Sequence, residues 1–313
     1  MNQIKPILRK RKIVSLAFQD LNLNILEMGV GGKELTIVTG IHGDETGSFV
    51  IINELLKDIK RKKILEKHSV KLKIILGANP IALLNRSRSS FVDEKDLNRV
   101  FPGVGNCVTD LIAKALLSEI ENSNFVIDLH SFKLTTPLMG ILVQADDEEL
   151  NNKNLDLMNS FNPKQIWQIN TIKSDERKFS GSLGEILNSK KICNIAIETN
   201  NPEILSDEEI FSCKNSLLNV IKSISDNNFS NKSTAFILDR KMHFALQEGI
   251  FSSKKKPFDL VKKGEEIGSI TCLRTLTEKK IFSEITGQIM QLKRNMFVQP
   301  GDEIFAVGKK IKN

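Results

Sequence analysis

Residues Leu35 to Glu45 read L-T-I-V-T-G-I-H-G-D-E. An apolar run (Leu35, Ile37, Val38) stops at Gly40, His42 and Glu45 follow at once, and a helical pattern then covers Ser48 to Lys63. A strand that halts at a glycine and hands over to a helix sets its loop side chains at the carboxyl edge of a sheet. That edge is where open α/β folds carry their chemistry.

Working outward, the first 34 residues carry short alternating segments such as Leu23 to Met28, which predict edge strands. Downstream, Val70 to Ala78 predicts a second strand stopped by Asn79-Pro80. Residues 81–103, rich in Arg, Ser and Asp, predict a long loop, and a loop of that length inside a domain is usually functional. Thr109 to Glu121 predicts an amphipathic helix, Phe125 to Leu129 and Met139 to Val143 strands, and Asp146 to Phe161 a helix with acidic residues at its start. Ser182-Leu-Gly-Glu185 predicts a capping box, Ile192 to Ile197 a buried strand ending at Glu198, and Ser206 opens a last helix to about Ser225. Strands alternating with helices predict an α/β fold around a mixed, mostly parallel sheet with flanking helices.

The polar stretch from Asp226 to Thr234 predicts a boundary, giving a catalytic unit at 1–230 and a second unit at 231–313. The second unit contains a repeat: Val261-Lys-Lys-Gly-Glu-Glu-Ile267 returns as Val298-Gln-Pro-Gly-Asp-Glu-Ile304. Two copies of a strand–turn–strand element predict a small all-β barrel or sandwich with pseudo-twofold symmetry. Such a unit resembles the lipoyl or biotinyl carrier fold. Lys279 and Lys280, however, lack the methionine neighbours of a modified lysine, and a structural or lid unit is the reading adopted.

The chain has 313 residues, 40% hydrophobic and 27% charged, which describes an ordinary globular protein of about two domains. Its net charge of +7 is spread along the sequence, and with 6% aromatic residues and none interleaved with the lysine clusters it carries no nucleic-acid signature. Cys107, Cys193, Cys213 and Cys272 form no C-x-x-C pair and read as reduced thiols. No apolar run approaches a membrane span and the N-terminus does not read as a signal peptide, so a cytoplasmic location without membrane partners is expected. Homo-oligomerisation is left open.

A catalytic zinc takes three protein ligands from His, Asp or Glu and keeps a position open for water. His42 and Glu45, three apart at the entry to a helix, can turn toward one point. Alone, H-x-x-E is weak, and most such pairs are a loop residue and a capping carboxylate. Phe125-Val-Ile-Asp-Leu-His130 is a second apolar strand ending on a histidine, and the chain holds only four histidines. His42, Glu45 and His130 are therefore the candidate ligands of one Zn²⁺ per chain. An H-E-x-x-H helix is absent.

Taken together, G-I-H-G-D-E, D-L-N-R-V-F-P-G (Asp96 to Gly103), D-L-H and a strand ending in Glu resemble the succinylglutamate desuccinylase and aspartoacylase family. These are zinc amidohydrolases on a carboxypeptidase-like fold. The resemblance implies that His42, Glu45 and His130 hold the metal and that Asp96 hydrogen-bonds the distal nitrogen of His42. It implies Asn98 and Arg99 as the grip on a substrate carboxylate and Arg88 as the partner of the scissile carbonyl, with Arg86 a competitor. Glu198 becomes the candidate general base. By position alone, Asp96, Asn98 and Arg99 read as a self-bonded turn and Glu198 as a solvated strand end.

Three departures from the family pattern stand out, the first two bearing on substrate choice and the third on the backbone at Glu198. The chain has no tyrosine, so the substrate-contacting Tyr of the family has no counterpart unless His243 stands in. The further Arg expected near 188 is missing, leaving Arg177 or Lys178 as replacements. Glu198 is followed by Thr199-Asn200 rather than by the family's glycine. The expected activity is removal of an acyl group from a small N-acyl amino acid or related carboxylate-bearing amide. A carboxypeptidase-type peptidase is the alternative, and a non-catalytic metal- or ligand-binding homologue the next.

Overall fold

The structure is a computed structural model that describes residues 5–16, 19–132, 135–136, 138–171, 177–230 and 236–310. In chain order the first half holds β1 (Ile7–Ser15), β2 (Asp20–Met28), β3 (Glu34–Thr39), α1 (Gly47–Lys62), α2 (Ile64–Lys67), β4 (Lys71–Leu76), α3 (Pro80–Asn85), α4 (Val108–Ile120) and β5 (Phe125–Phe132). Then follow β6 (Met139–Val143), α5 (Glu148–Phe161), β7 (Gln165–Ile169), α6 (Leu183–Ser189), β8 (Cys193–Asn200) and α7 (Asp207–Asp226). The last part is β9 (Phe236–Phe244), β10 (Gly249–Ser253), β11 (Leu260–Val261), β12 (Glu266–Thr271), β13 (Glu278–Phe282), β14 (Gly287–Leu292), β15 (Met296–Val298) and β16 (Glu303–Lys310).

Twelve strands form one sheet in the order β1-β2-β4-β3-β5-β8-β6-β7-β9-β16-β14-β11. β4, β3, β5 and β8 run parallel to one another, β6 pairs antiparallel with β8, and β7 and β9 run parallel to β6. The sheet is thus mixed and mostly parallel at its centre, as the alternating sequence pattern predicts. Its central strands are apolar on both faces because both are covered. On one face Leu35, Ile37, Ile127 and Leu129 pack with Ile51 and Leu55 of α1, Leu157 of α5 and Leu217 and Val220 of α7. On the other, Val38 and Val126 pack with Ile112 and Leu116 of α4 and Leu183 and Leu187 of α6.

Two local expectations need correction. Residues 81–103 are not one loop: Asn79 accepts a hydrogen bond from Ala82 N–H and caps α3, with Pro80 in its first turn, and Leu97–Arg99 forms a 3-10 turn. The cap favours a helix over an open loop there. β5 and β8 also run beyond their expected ends, to Phe132 and Asn200, so His130 and Glu198 lie within strands rather than past them.

The C-terminal part contains a second, four-stranded antiparallel sheet, β13-β12-β10-β15. It shares an apolar core with β14 and β16, including Phe251, Ile270, Ile289 and Phe305. The repeat produces the same turn twice. Lys262 N–H donates to Glu265 Oε2 and Gln299 N–H to Asp302 Oδ2, and Gly264 and Gly301 supply the positive φ (82° and 90°). Through β9, which pairs with β7, these strands continue the large sheet. The expected boundary at Asp226–Thr234 falls partly on residues 231–234, outside the described residues. Lys279 and Lys280 lie inside β13 on a sheet edge, not at a hairpin tip. Among the described residues no helix is long and apolar enough to cross a membrane.

Candidate metal centre and active site

β3 ends at Thr39, and Gly40, at φ 70°, turns the chain out of the sheet. Gly43 then lies against α3 so closely that a Cβ there would stand 2.0 Å from Ala82 O, and its N–H donates to Ser87 O. These contacts fix the loop that carries His42 and Glu45. β5 lies beside β3 and, running parallel, brings His130 up at the same edge.

The three side chains converge. One ligand atom from each of His42, Glu45 and His130 lies within 4.8 Å of the others, and all three are buried. Glu45 bridges the rings, with Oε1 at 2.7 Å from His42 Nδ1 and Oε2 at 2.9 Å from His130 Nδ1. Ser131 N–H also donates to Glu45 Oε2. The outer nitrogens are held too: His42 Nε2 is 3.0 Å from Asp96 Oδ1, and His130 Nε2 is 2.7 Å from Asp128 Oδ2. Each ring therefore has a carboxylate at both nitrogens.

Burial works to lower both histidine pKa values, but the neighbouring carboxylates outweigh it and both are raised, His130 well above its ordinary value. Burial likewise opposes ionisation of Glu45, yet the charges of His42 and His130 hold it well below the usual carboxylate range. Asp96 is held low in the same way, against burial, by His42 and then by Arg88 and Arg99.

Glu198 behaves differently. It is the register partner of His130 on the adjacent strand, so the two side chains share a face. It is 7% exposed and its Oε2 has no hydrogen-bond partner among the described residues. Burial, with the His130 charge acting against it and Glu45 reinforcing it, pushes its carboxyl up to about 8.

Arg88 reaches the centre, its Nε 3.0 Å from Asp96 Oδ2 and its Nη1 3.5 Å from Glu45 Oε1. Arg86 caps the end of α3 and is exposed. Asn98 Oδ1 accepts from Leu183 N–H, which ties the 3-10 turn to the start of α6. Arg99 is partly buried and lies over the Phe179 ring, 5.4 Å from its centroid. His42, Glu45, Arg88, Asn98, Arg99, His130 and Glu198 all line one cavity of about 470 Å³, a size ordinary for small-molecule sites.

His243 takes no part in this site. It stacks on Phe305 at 4.2 Å and is buried with the C-terminal strands, whose packing recruits an imidazole as readily as any flat ring. Of the two replacement cations, Lys178 lines the cavity.

Three cavity residues escape a reading of the sequence. Asp128 is the clearest: it precedes His130 by two, and a strand places such residues on one face, so D-L-H carried the signal. Trp167 lies on β7. Arg240 enters from β9 and stacks on Trp167, 3.5 Å from the ring centroid, which nothing local to its sequence foretells.

The donor set suits a divalent cation of the zinc type: two imidazoles and one carboxylate, with the outer imidazole nitrogens fixed by Asp96 and Asp128. An ion there would take the place of a proton on each Nδ1 atom that faces Glu45. A buried carboxyl with an unpartnered oxygen stands alongside, and arginines face the same space. Fold and site together define a mixed α/β protein with a candidate metal centre at the edge of its sheet.

The sequence pattern of the succinylglutamate desuccinylase/aspartoacylase catalytic domain matches residues 31–187. The chain belongs to this family, a family of deacylases that hydrolyse amide bonds. A succinylglutamate desuccinylase of Shewanella frigidimarina is 38% identical over 71 residues, 23% of this chain and 19% of that protein. The chain thus matches about a fifth of the length of the curated relatives. Solved structures extend the likeness of fold to nearly the whole chain. An aspartoacylase family protein from Mesorhizobium loti is 19% identical with a TM-score of 0.80, covering 100% of this chain and 97% of that one. The ectoine utilization protein EutE of Ruegeria pomeroyi, in a product-bound structure, is 19% identical with a TM-score of 0.81, covering 97% and 94%.

Proposed function

We propose that this protein is a zinc-dependent deacylase that removes the acyl group from an N-acyl amino acid or a related amide bearing a carboxylate. The observation that carries the reading is the convergence of His42, Glu45 and His130 beside the unpartnered oxygen of Glu198, in a cavity that Arg88 and Arg99 share. Catalytic and ligand roles are assigned on that geometry and on the family's motifs. His42, Glu45 and His130 would hold the ion, and Asp96 and Asp128 would keep the ring protons on Nε2. Bound there, zinc supplies a water of lowered pKa and polarises the carbonyl oxygen.

The remaining work falls to the chain's own side chains. Glu198 accepts the proton of the attacking water and passes it to the amine nitrogen as the carbon–nitrogen bond breaks. Its burial raises its affinity for a proton above that of an ordinary carboxylate, which favours acceptance of the proton from water. Arg88, tethered by Asp96, donates toward the oxyanion that forms on the carbonyl. Arg99 and the amide nitrogen of Asn98 hold the substrate carboxylate and so set which bond meets the water. The test is a hydrolysis screen of N-acetyl, N-succinyl and related acyl amino acids with the zinc-loaded protein beside a chelated control. Release of free amine only with zinc supports the reading, and no release from any of them while zinc remains bound overturns it.

A further inference from the structure

A groove of about 310 Å³ lies near one edge of the large sheet, between β2 and the first two helices, and shares no residue with the candidate active site. Its walls follow from two periodicities. Leu26 and Met28, two apart on β2, share one face of the strand. Leu56, Ile59, Lys60 and Lys63 follow the i, i+3, i+4, i+7 spacing of one stripe along α1 and its cap. Leu65 of α2 closes the floor. Met28, Ile59 and Leu65 belong to the apolar core beneath, while Leu26 and Leu56 remain partly open above it. The apolar surface continues outward, because Leu8 of β1 is the register partner of Leu26 and is 61% exposed.

The two ends of the groove differ. α1 is the crossover between the parallel strands β3 and β4, and β2 is antiparallel to β4, so α1 and β2 run the same way and finish side by side. Lys60 and Lys63 stand at that end of α1, and Lys5, two residues before the partner of Glu27, stands at that end of β2. One carboxylate, Glu66, joins them and lies 3.9 Å from Lys63 Nζ; Lys5 and Lys60 have no ion pair among the described residues. Leu26 and Leu56 lie a step back along strand and helix, away from these charges. An apolar interior with a net positive rim at one end fits a molecule with one hydrocarbon chain and one anionic head. The chain gains from burial in proportion to its area, and the lysines meet the head with their ammonium groups still in water. About 150 Å³ holds a benzene ring in a protein interior, so this groove takes a single chain of moderate length. An amphipathic helix, roughly 10–12 Å across with its side chains, is a larger body than this volume receives.

We infer that the groove binds a free fatty acid of medium chain length, with the hydrocarbon between β2 and α1 and the carboxylate at Lys5, Lys60 and Lys63. Neither the metal centre nor the deacylase reading enters the argument.

The experiment is a calorimetric titration of the full chain with decanoate, kept below the concentration at which it forms micelles. It is run with zinc and again with a chelator, so that a carboxylate bound at the metal is told apart. Decanoate is expected to bind at one site with the same affinity in both conditions. Hexanoate, four methylenes shorter, should bind at least about tenfold more weakly, since each buried methylene contributes about fourfold. Lys60→Glu reverses a charge at the head end, and Leu56→Asp sets a carboxylate against the chain. Each should weaken decanoate at least about tenfold while the circular dichroism spectrum stays that of the wild type; Lys60 is exposed, so its variant keeps the test decisive if Leu56→Asp does not fold. No saturable binding, equal affinity for hexanoate and decanoate, or wild-type affinity in the Lys60→Glu variant would overturn the inference. So would binding that vanishes with the chelator, which belongs to the metal, binding confined to vesicles of anionic phospholipid, which belongs to a membrane surface, or binding gained only on deletion of residues 1–4, which would make the chain's own start the occupant.

Discussion

Asp128→Ala tests whether His130 is a positioned ligand or only a buried ring. The Asp128 carboxylate accepts a 2.7 Å hydrogen bond from His130 Nε2 in a buried setting, and its other oxygen, Oδ1, has no partner among the described residues. Truncation therefore removes one interaction of consequence. A hydrogen bond to a charged group contributes about 1.5–3 kcal/mol, and loss of such an outer partner typically lowers metal affinity about 10- to 100-fold. Without Asp128 the ring proton is free to settle on Nδ1, the nitrogen that faces Glu45, and a protonated nitrogen cannot bind an ion. Asp128→Asn keeps an acceptor and the ring tautomer while losing the charge. Since charge-assisted bonds are roughly twice as strong as neutral ones, its loss should be about 3- to 10-fold. Zinc dissociation constants from competition with a chromophoric chelator give the answer. An alanine variant that binds zinc like the wild type, or an asparagine variant as damaged as the alanine, would refute the positioning argument.

Other consequences are as direct. Glu198→Gln keeps shape and should retain zinc while turnover falls about a hundredfold or more, read from single-turnover rates beside metal analysis; undiminished turnover removes Glu198 as the base. His42→Ala should lose the bound ion, and full zinc content by elemental analysis would strike it from the ligand set. Away from the site, Asp58 of α1 is buried and paired with Lys214 of α7, 2.8 Å away and itself nearly buried. Asp58→Ala leaves that ammonium without its carboxylate and should destabilise the fold by about 3 kcal/mol in denaturant titrations. The hydrogen bonds from Lys214 and Lys62 hold the Asp58 pKa below its ordinary 3.8. Its contribution is thus fully present above that value and lost as pH falls through the lower folded value, so the gap between wild type and variant should close in acid; a gap constant with pH would contradict the pairing.

The parts of the fold legible in the sequence were those with a local physical signature. Leu35 to Glu45 announced a strand, a glycine stop and a helix because each step is enforced within a few residues. His130 could be suspected because it ends an apolar run. Asp128 is equally legible through its spacing of two from His130, which sets both side chains on one face of the strand. Trp167 and Arg240 were not legible, since which strand lies beside which is decided by long-range pairing. The helix inside residues 81–103 is hard to read because an Asn-Pro pair both stops a strand and, through the Asn79 side chain, caps a short helix.

The direction of the strands explains why this edge, and not another, became the site. β3, β5 and β8 are parallel, so Thr39, His130 and Glu198 come up at one level, and the loop after Thr39 delivers His42 and Glu45 beside them. At β8 the sheet reverses: β6 runs antiparallel and pairs Met139 with Glu198. Beyond β8 the face continues as a floor that includes Ile141 and Trp167. The cavity lies over this change in direction, lined by His130 and Glu198 on one side and by Ile141 and Trp167 on the other. The candidate ligands and Glu198 thus lie on the parallel side of this change, and Ile141 and Trp167 on the reversed side. A change to residues on the floor should accordingly alter which amides are bound more than it alters the metal centre that would cleave them.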